Sequence, residues 1–120
     1  MTEITDLLER NLSSVFNERN RLKRLSALQD VWAPNGVLAW EDGTHVGQSN
    51  IELAVSSLLR RYPEFDFTAI GITDEVAGAG RLRWAFGSSK ERPAVTGEDV
   101  AFVANGHIVA LYRFLDGTAL

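Results

Sequence analysis

The chain has 120 residues, of which 45% are hydrophobic and 23% charged, and we expect one domain over residues 1–120. Its net charge of −4 argues against nucleic acid as a partner, and no apolar stretch approaches the ~18 residues of a membrane span. The absence of cysteine excludes disulfides, a thiol nucleophile and thiolate metal sites.

The N-terminal third has the periodicity of two helices. Apolar residues recur at helical spacing from Ile4 to Phe16 and again from Leu22 to Trp32, and Pro34-Asn35-Gly36 is expected to end the second helix. Basic residues concentrate at 19–24 without interleaved aromatics, which indicates a solvated helix face. Charged residues interrupt every apolar run near the N-terminus, so no signal peptide is predicted and a cytoplasmic protein is expected.

A hairpin is predicted in the segment VLAWEDGTHVG, residues 37–47. Asp42-Gly43 is a favoured two-residue turn, because both residues tolerate positive φ. That turn would pair Trp40 with His45 and place both side chains on one face.

The rest of the chain is predicted to hold one helix and then four strands. The helix begins near Ser49 or Asn50 and ends at Pro63. The strands follow over about 65–76, 81–86, 95–104 and 107–115. The order α-α-β-β-α-β-β-β-β, with helices early and long hairpins late, favours the α+β class.

The final hairpin brings two polar side chains together in this prediction. If Asn105-Gly106 is a two-residue turn, Asp99 lies opposite Tyr112. Both faces of these strands are apolar, so both are expected to be covered. Helices would cover one face, and a second copy of the chain is the simplest cover for the other, which predicts a homodimer through the outer face.

Three segments carry a resemblance to a known family: LQDVWAPNGVLAWEDG, VGQSNIELAV and VTGEDVAFVANGHIVALYRFLD. The last has a Gly-x-Asp strand, an Asn-Gly turn and a Tyr-x-Phe-x-Asp ending. Together they resemble the nuclear-transport-factor-2-like superfamily and its SnoaL-like branch, which is related to polyketide cyclases and ketosteroid isomerases. The resemblance covers nearly the whole chain and implies a cone-shaped, curved antiparallel sheet wrapped around three helices.

The resemblance also implies a pocket inside the cone. In ketosteroid isomerases an aspartic acid on the equivalent strand donates a hydrogen bond to the substrate oxygen, and Asp99 is at the matching place. An inward Asp99 would bring Tyr112 with it, and His45 is a third candidate acid or base. The side chains expected to line the pocket are Phe16, Trp32, Trp40, Leu82, Trp84, Phe86 and Phe114.

Such a pocket suits a small apolar or aromatic ligand, for example a carbonyl-containing or polyketide-like compound. Burial among aromatic rings disfavours the charged form of a carboxyl group, so Asp99 would act as a donor or as a general base. The hypothesis is a cofactor-free isomerase, cyclase or hydrolase; the alternative is a non-catalytic ligand-binding or dimerisation module. No cofactor is implied, and the two histidines, His45 and His107, form no metal-binding pair.

Two departures from known enzymes narrow the hypothesis. The proton-shuttling base of ketosteroid isomerases corresponds to Trp40, which rules against classical steroid isomerisation. The Asp-Arg-Asp set of limonene-epoxide-hydrolase-type enzymes is disfavoured, because Arg81, Arg83 and Arg113 are expected on the face opposite Trp84.

The sequence leaves a second arrangement open, in which Asp99 lies on the outer face and pairs with Arg81 or Arg83. A one-residue slip of the strand register in the 88–92 loop would reverse the face that Asp99 occupies.

Overall fold

The computed structural model describes residues 3–117. Helix α1 (Glu3–Arg10) continues as a π-helix over Asn11–Phe16. The elements that follow are α2 (Arg21–Val31), β1 (Trp32–Trp40), β2 (Gly43–Val46), α3 (Gln48–Arg61), β3 (Asp66–Val76), β4 (Ala79–Ser89), β5 (Arg92–Ala104) and β6 (His107–Leu115). The predicted element order and the α+β class are confirmed.

Helix α2 begins at a side-chain cap and ends earlier than predicted. The Asn20 side chain accepts a hydrogen bond from the backbone N–H of Lys23, which satisfies a free donor of the first turn. The helix stops at Val31, and Trp32 already has extended backbone angles. Trp32 is fully buried and pairs with Ile108 of β6. It therefore belongs to the sheet, although helical periodicity predicted it in α2.

The six strands form one open sheet in the order β2-β1-β6-β5-β4-β3. The pair β1–β6 is parallel and the other four pairs are antiparallel, so the sheet is mixed where an antiparallel one was expected. The helices cover its inner face, and the hydrophobic core lies between them and the strands. None of the helices within residues 3–117 has the length and apolar character needed to cross a bilayer.

The β1–β2 turn lies one residue earlier than predicted. Trp40 pairs with Gly43 and Leu38 pairs with His45, so Glu41-Asp42 forms the turn. Each residue of β1 therefore pairs with a partner two positions earlier than predicted. Because side chains alternate with a period of two, each residue still lies on its predicted face. Trp40 and His45 consequently still share a face.

The β5–β6 hairpin contains the difference that matters for the site. Its register near the Asn105-Gly106 turn is as predicted. Val109, however, is an extra residue on β6 without a partner on β5, which makes a β-bulge. Beyond this bulge the register is offset by one residue. Asp99 therefore pairs with Arg113, and the predicted pairing of Asp99 with Tyr112 is wrong. The bulge turns Tyr112 to the outer face and Arg113 to the inner one.

Candidate functional site

Asp99 is fully buried on the inner face of β5 and accepts three hydrogen bonds. Arg113 donates from Nε to Oδ1 at 2.8 Å and from Nη2 to Oδ2 at 2.9 Å. Trp84, on the neighbouring strand β4, donates its indole N–H to Oδ1 at 2.9 Å. Each carboxylate oxygen thus faces an N–H donor, which is the arrangement of an ionised acceptor.

The Arg113 guanidinium is enclosed by aromatic rings. Its central carbon lies 3.9 Å from the ring centroid of Phe16, 4.6 Å from that of Phe67, 5.1 Å from that of Trp84 and 5.6 Å from that of Trp40. Only 1% of the Arg113 side chain is exposed. Cation–π attraction and the Asp99 carboxylate together compensate the loss of hydration of this buried charge.

One nitrogen of Arg113 is left without a partner. Nε and Nη2 both donate to Asp99, and Nη1 lies on the edge of the guanidinium away from that carboxylate. Nη1 is buried and has no hydrogen-bond partner within residues 3–117. A buried donor without an acceptor is uncommon and costs free energy, so this atom requires an explanation.

Two local features hold the rings around Arg113. The Asn17 side chain donates to the carbonyl of Phe67 at 2.8 Å and accepts from its N–H at 2.7 Å. It thus makes the two backbone hydrogen bonds that an adjacent strand would make. This clamp joins the end of the π-helix, which carries Phe16, to β3. Gly97 pairs with Trp84 across β4–β5, and a Cβ at Gly97 would collide with the Trp84 indole.

A cavity of about 230 Å³ lies beside Arg113, between the inner face of the sheet and α3. Its walls are mostly aromatic and aliphatic, and charged side chains stand at its mouth. The lining residues are Trp40, Glu41, Asp42, Leu58, Arg61, Phe67, Trp84, Phe86, Arg113 and Leu115. The volume lies below the roughly 300–1,000 Å³ of pockets for drug-sized molecules, and it suits a ligand of one or two rings.

His45 lies behind the Trp40 wall of this cavity. The Trp40 indole donates to His45 Nε2 at 3.1 Å, and the Asp42 carboxylate lies 3.7 Å from the same nitrogen. Because an indole N–H can only donate, Nε2 accepts and the proton of the neutral ring is on Nδ1. His45 therefore fixes the position of Trp40 and is not itself a lining residue.

The structure distributes the expected site residues over four places. Trp40, Trp84 and Phe86 line the cavity, while Phe16 lies one layer behind, against Trp40 and Arg113. Trp32 and Leu82 are core residues away from the cavity, and the Trp32 indole donates to Asn11 at 2.8 Å. Tyr112 and Phe114 lie on the outer face, with exposed fractions of 43% and 59%. The expected place of Tyr112 beside Asp99 is wrong because the Val109 bulge changes the register.

Of the three arginines expected on the face opposite Trp84, Arg81 and Arg83 lie there and only Arg113 does not. Arg81 pairs with Asp74 at 3.3 Å and Arg83 pairs with Asp116, both on the protein surface. Hydrogen bonds from Arg83 and Thr96 hold the pKa of Asp116 below its usual value. Arg113, expected on the face opposite Trp84, is inside.

Sequence reasoning missed Arg113 and Phe67 as site residues. A signal for Arg113 existed: Arg113 is the single charged residue between Ile108 and Leu115, on a strand expected to be covered on both faces. A buried arginine needs a carboxylate partner, and the facing strand offers two adjacent ones, Glu98 and Asp99. Among the described residues, no three carboxylate or imidazole groups converge to hold a metal.

Comparison with known proteins supports the architecture. No protein-family model and no curated protein matches the chain. A proposed isomerase of the SnoaL-like family from Agrobacterium tumefaciens superposes with a TM-score of 0.88 at 24% identity, over 98% of this chain and 100% of the other. A proposed polyketide cyclase from Sinorhizobium meliloti gives 0.73 at 15% identity, over 94% and 99%.

A third solved structure, a nuclear-transport-factor-2-like protein of unknown function from Cytophaga hutchinsonii, gives a TM-score of 0.71 at 13% identity. It covers 97% of this chain and 91% of the other. These likenesses extend over nearly the full length of both partners, at identities where similarity shows the fold. The chain therefore has the nuclear-transport-factor-2-like fold, the α+β cone that these three structures share.

Proposed function

We propose that this protein is a SnoaL-like binding protein for a small apolar or aromatic molecule, which sits in the cavity beside Arg113. The observation that carries the proposal is the combination of an aromatic-walled cavity with a buried ion pair at its side. Apolar walls with few polar groups are typical of small-molecule sites, in which the polar groups set orientation. The structural neighbours include a proposed isomerase of the SnoaL-like family and a proposed polyketide cyclase.

Proton transfer by Asp99 is not part of this proposal. Both oxygens of Asp99 already accept hydrogen bonds from Arg113, and Trp84 donates a third. A general acid needs a proton directed at the ligand, and a general base needs a free lone pair within reach of it. The geometry favours binding and polarisation of a ligand by Arg113 over acid–base catalysis by Asp99.

The three indole N–H groups provide a direct test. Each donates to a different acceptor, so we expect three separate signals in a ¹⁵N-labelled sample. Titration with 2-acetylnaphthalene should shift the signals of Trp40 and Trp84, which line the cavity. The Trp32 signal should keep its chemical shift, because Trp32 lies outside the cavity.

Two neighbouring substitutions form a matched pair for this test. Leu115→Trp fills the cavity that Leu115 lines and should abolish binding, whereas Phe114→Trp adds a similar ring on the outer face and should leave it unchanged. Equal binding by both variants, or no shift of any indole signal with the wild-type protein, would contradict the proposal.

We further propose that the outer face is covered by a second copy of the chain. Phe102, Val109, Tyr112 and Phe114 form an exposed apolar patch there, and the rings of Phe102 and Tyr112 lie 6.1 Å apart. Exposed apolar patches of this kind are typical of interfaces, and twofold dimers are the commonest assemblies. Sedimentation at micromolar concentration should show a dimer, which Phe102→Asp disrupts and Ile72→Asp, on the exposed edge strand β3, does not; a monomeric wild type would contradict this.

A further inference from the structure

We propose that Nη1 of Arg113 binds an oxygen of the ligand, and that this contact selects uncharged acceptors over carboxylates. Asp99 is then a positioning residue, which holds the guanidinium in place. This inference rests on the proposed function and adds the residue that orients the ligand and the class of ligand that it accepts.

The hydrogen bonds of Arg113 leave one direction for a ligand. A guanidinium carries five N–H groups in a rigid plane, and the side formed by Nε and Nη2 is committed to Asp99. The two N–H groups of Nη1 are on the remaining edge, in a residue that lines the cavity. A ligand oxygen at this edge would satisfy the buried donor that no described residue satisfies.

The surrounding rings bring a ligand to that edge. Trp40, Phe67 and Trp84 each lie within 5.6 Å of the guanidinium carbon and each also line the cavity. An aromatic ring seated against these walls therefore places its substituent next to Arg113. Nη1 has almost no accessible surface, so the ligand oxygen reaches it by displacing part of this aromatic wall, and the hydrogen bond then forms in a dry environment, where it is strong.

The charges around the cavity decide which acceptors fit. The Asp99–Arg113 pair is formally neutral, and both partners are buried. At the mouth, two anionic side chains, Glu41 and Asp42, outnumber one cationic side chain, Arg61. A carboxylate ligand would lose its hydration and meet no net positive charge, whereas a ketone, ester or amide oxygen loses much less on entering.

Three naphthalenes of similar shape separate these contributions in the wild-type protein. They are 2-ethylnaphthalene, which has no acceptor, 2-acetylnaphthalene, which has a neutral one, and 2-naphthoate, which is charged. A hydrogen bond to a charged donor predicts at least about tenfold tighter binding of the ketone than of the ethyl compound. The naphthoate should bind more weakly than the ketone, with dissociation constants measured by calorimetry.

A paired substitution assigns the preference to Arg113. Arg113→Met with Asp99→Asn removes both charges together, and the asparagine Oδ1 can still accept from the Trp84 indole. This variant should bind the ethyl compound as the wild type does and lose the preference for the ketone. Its fold is checked by the indole signal of Trp32, which donates to Asn11 and does not line the cavity.

The outcomes distinguish the two proposals. If none of the three naphthalenes binds the wild type, the proposed function fails. If they bind but the ketone has no advantage over the ethyl compound, or the naphthoate binds most tightly, then the role of Arg113 is wrong and the pocket assignment stands. A ketone preference that persists in the paired variant would also overturn the assignment to Arg113.

Discussion

Substitution of Arg113 by methionine should destabilise the protein far more than the loss of an exposed ion pair. Met has a similar length but no charge, so Asp99, which is fully buried, would keep only the Trp84 indole as a donor. Removing one partner of a buried pair typically costs about 3–5 kcal/mol, because the other charge is left uncompensated. This is a large part of the roughly 5–15 kcal/mol by which a domain is stable.

The matched control is the exposed pair of Arg81 and Asp74, whose side chains are 60% and 63% exposed. Asp74→Asn should cost no more than about 1 kcal/mol, because water screens the pair. The variant with both Arg113→Met and Asp99→Asn should be more stable than Arg113→Met alone, because the stranded carboxylate is gone.

Guanidinium chloride unfolding of the wild type and the variants measures these differences as shifts of the midpoint at constant slope. The reasoning is refuted if Arg113→Met costs as little as Asp74→Asn. It is also refuted if the paired variant is the least stable of the set, because the two losses would then add without coupling.

Three further predictions concern other contacts. The carbon-13 titration of Asp116 should show a pKa below the usual carboxyl range, and Arg83→Gln should raise it. Because that pKa is lowered by folding, the stabilising effect of the pair is present at neutral pH and lost as the pH falls through it; a midpoint unmoved by Arg83→Gln would contradict the assignment. His45→Phe removes the acceptor of the Trp40 indole and should lower the free energy of unfolding by about 1 kcal/mol while shifting that indole signal; an unmoved signal would argue against the contact. Tyr112→Phe should leave ligand affinity within about twofold, since Tyr112 lies on the outer face, and a tenfold loss would place its hydroxyl at the ligand.

The sequence predicted the layout of the fold because its signals are local. Helical apolar spacing, the Asn105-Gly106 turn and the strand alternation each depend on a few neighbouring residues, and the observed elements follow them. The β1–β2 turn was placed wrongly, yet Trp40 and His45 share a face as predicted. A register change of two leaves side-chain direction intact, so that error had no consequence for the site.

The site itself depends on a register change of one. Val109 is an added residue in β6, and both faces of that strand are apolar, so the alternation gives no sign of the bulge. Without the bulge, Tyr112 would be inside and Arg113 outside. The sequence could therefore place Asp99 in the interior through its family resemblance, but the partner of Asp99 follows from a backbone irregularity that no local pattern marks.

The infrared spectrum of a bound ketone reports directly on the proposed hydrogen bond from Arg113. With 2-acetylnaphthalene labelled by carbon-13 at its carbonyl, a hydrogen bond from Arg113 Nη1 should lower the C=O stretching frequency below its value in an apolar solvent. The variant with Arg113→Met and Asp99→Asn should return the frequency to the apolar value. A bound ketone with the apolar frequency in the wild type would show that the ligand oxygen does not contact Arg113, and the proposed role of Arg113 would be wrong.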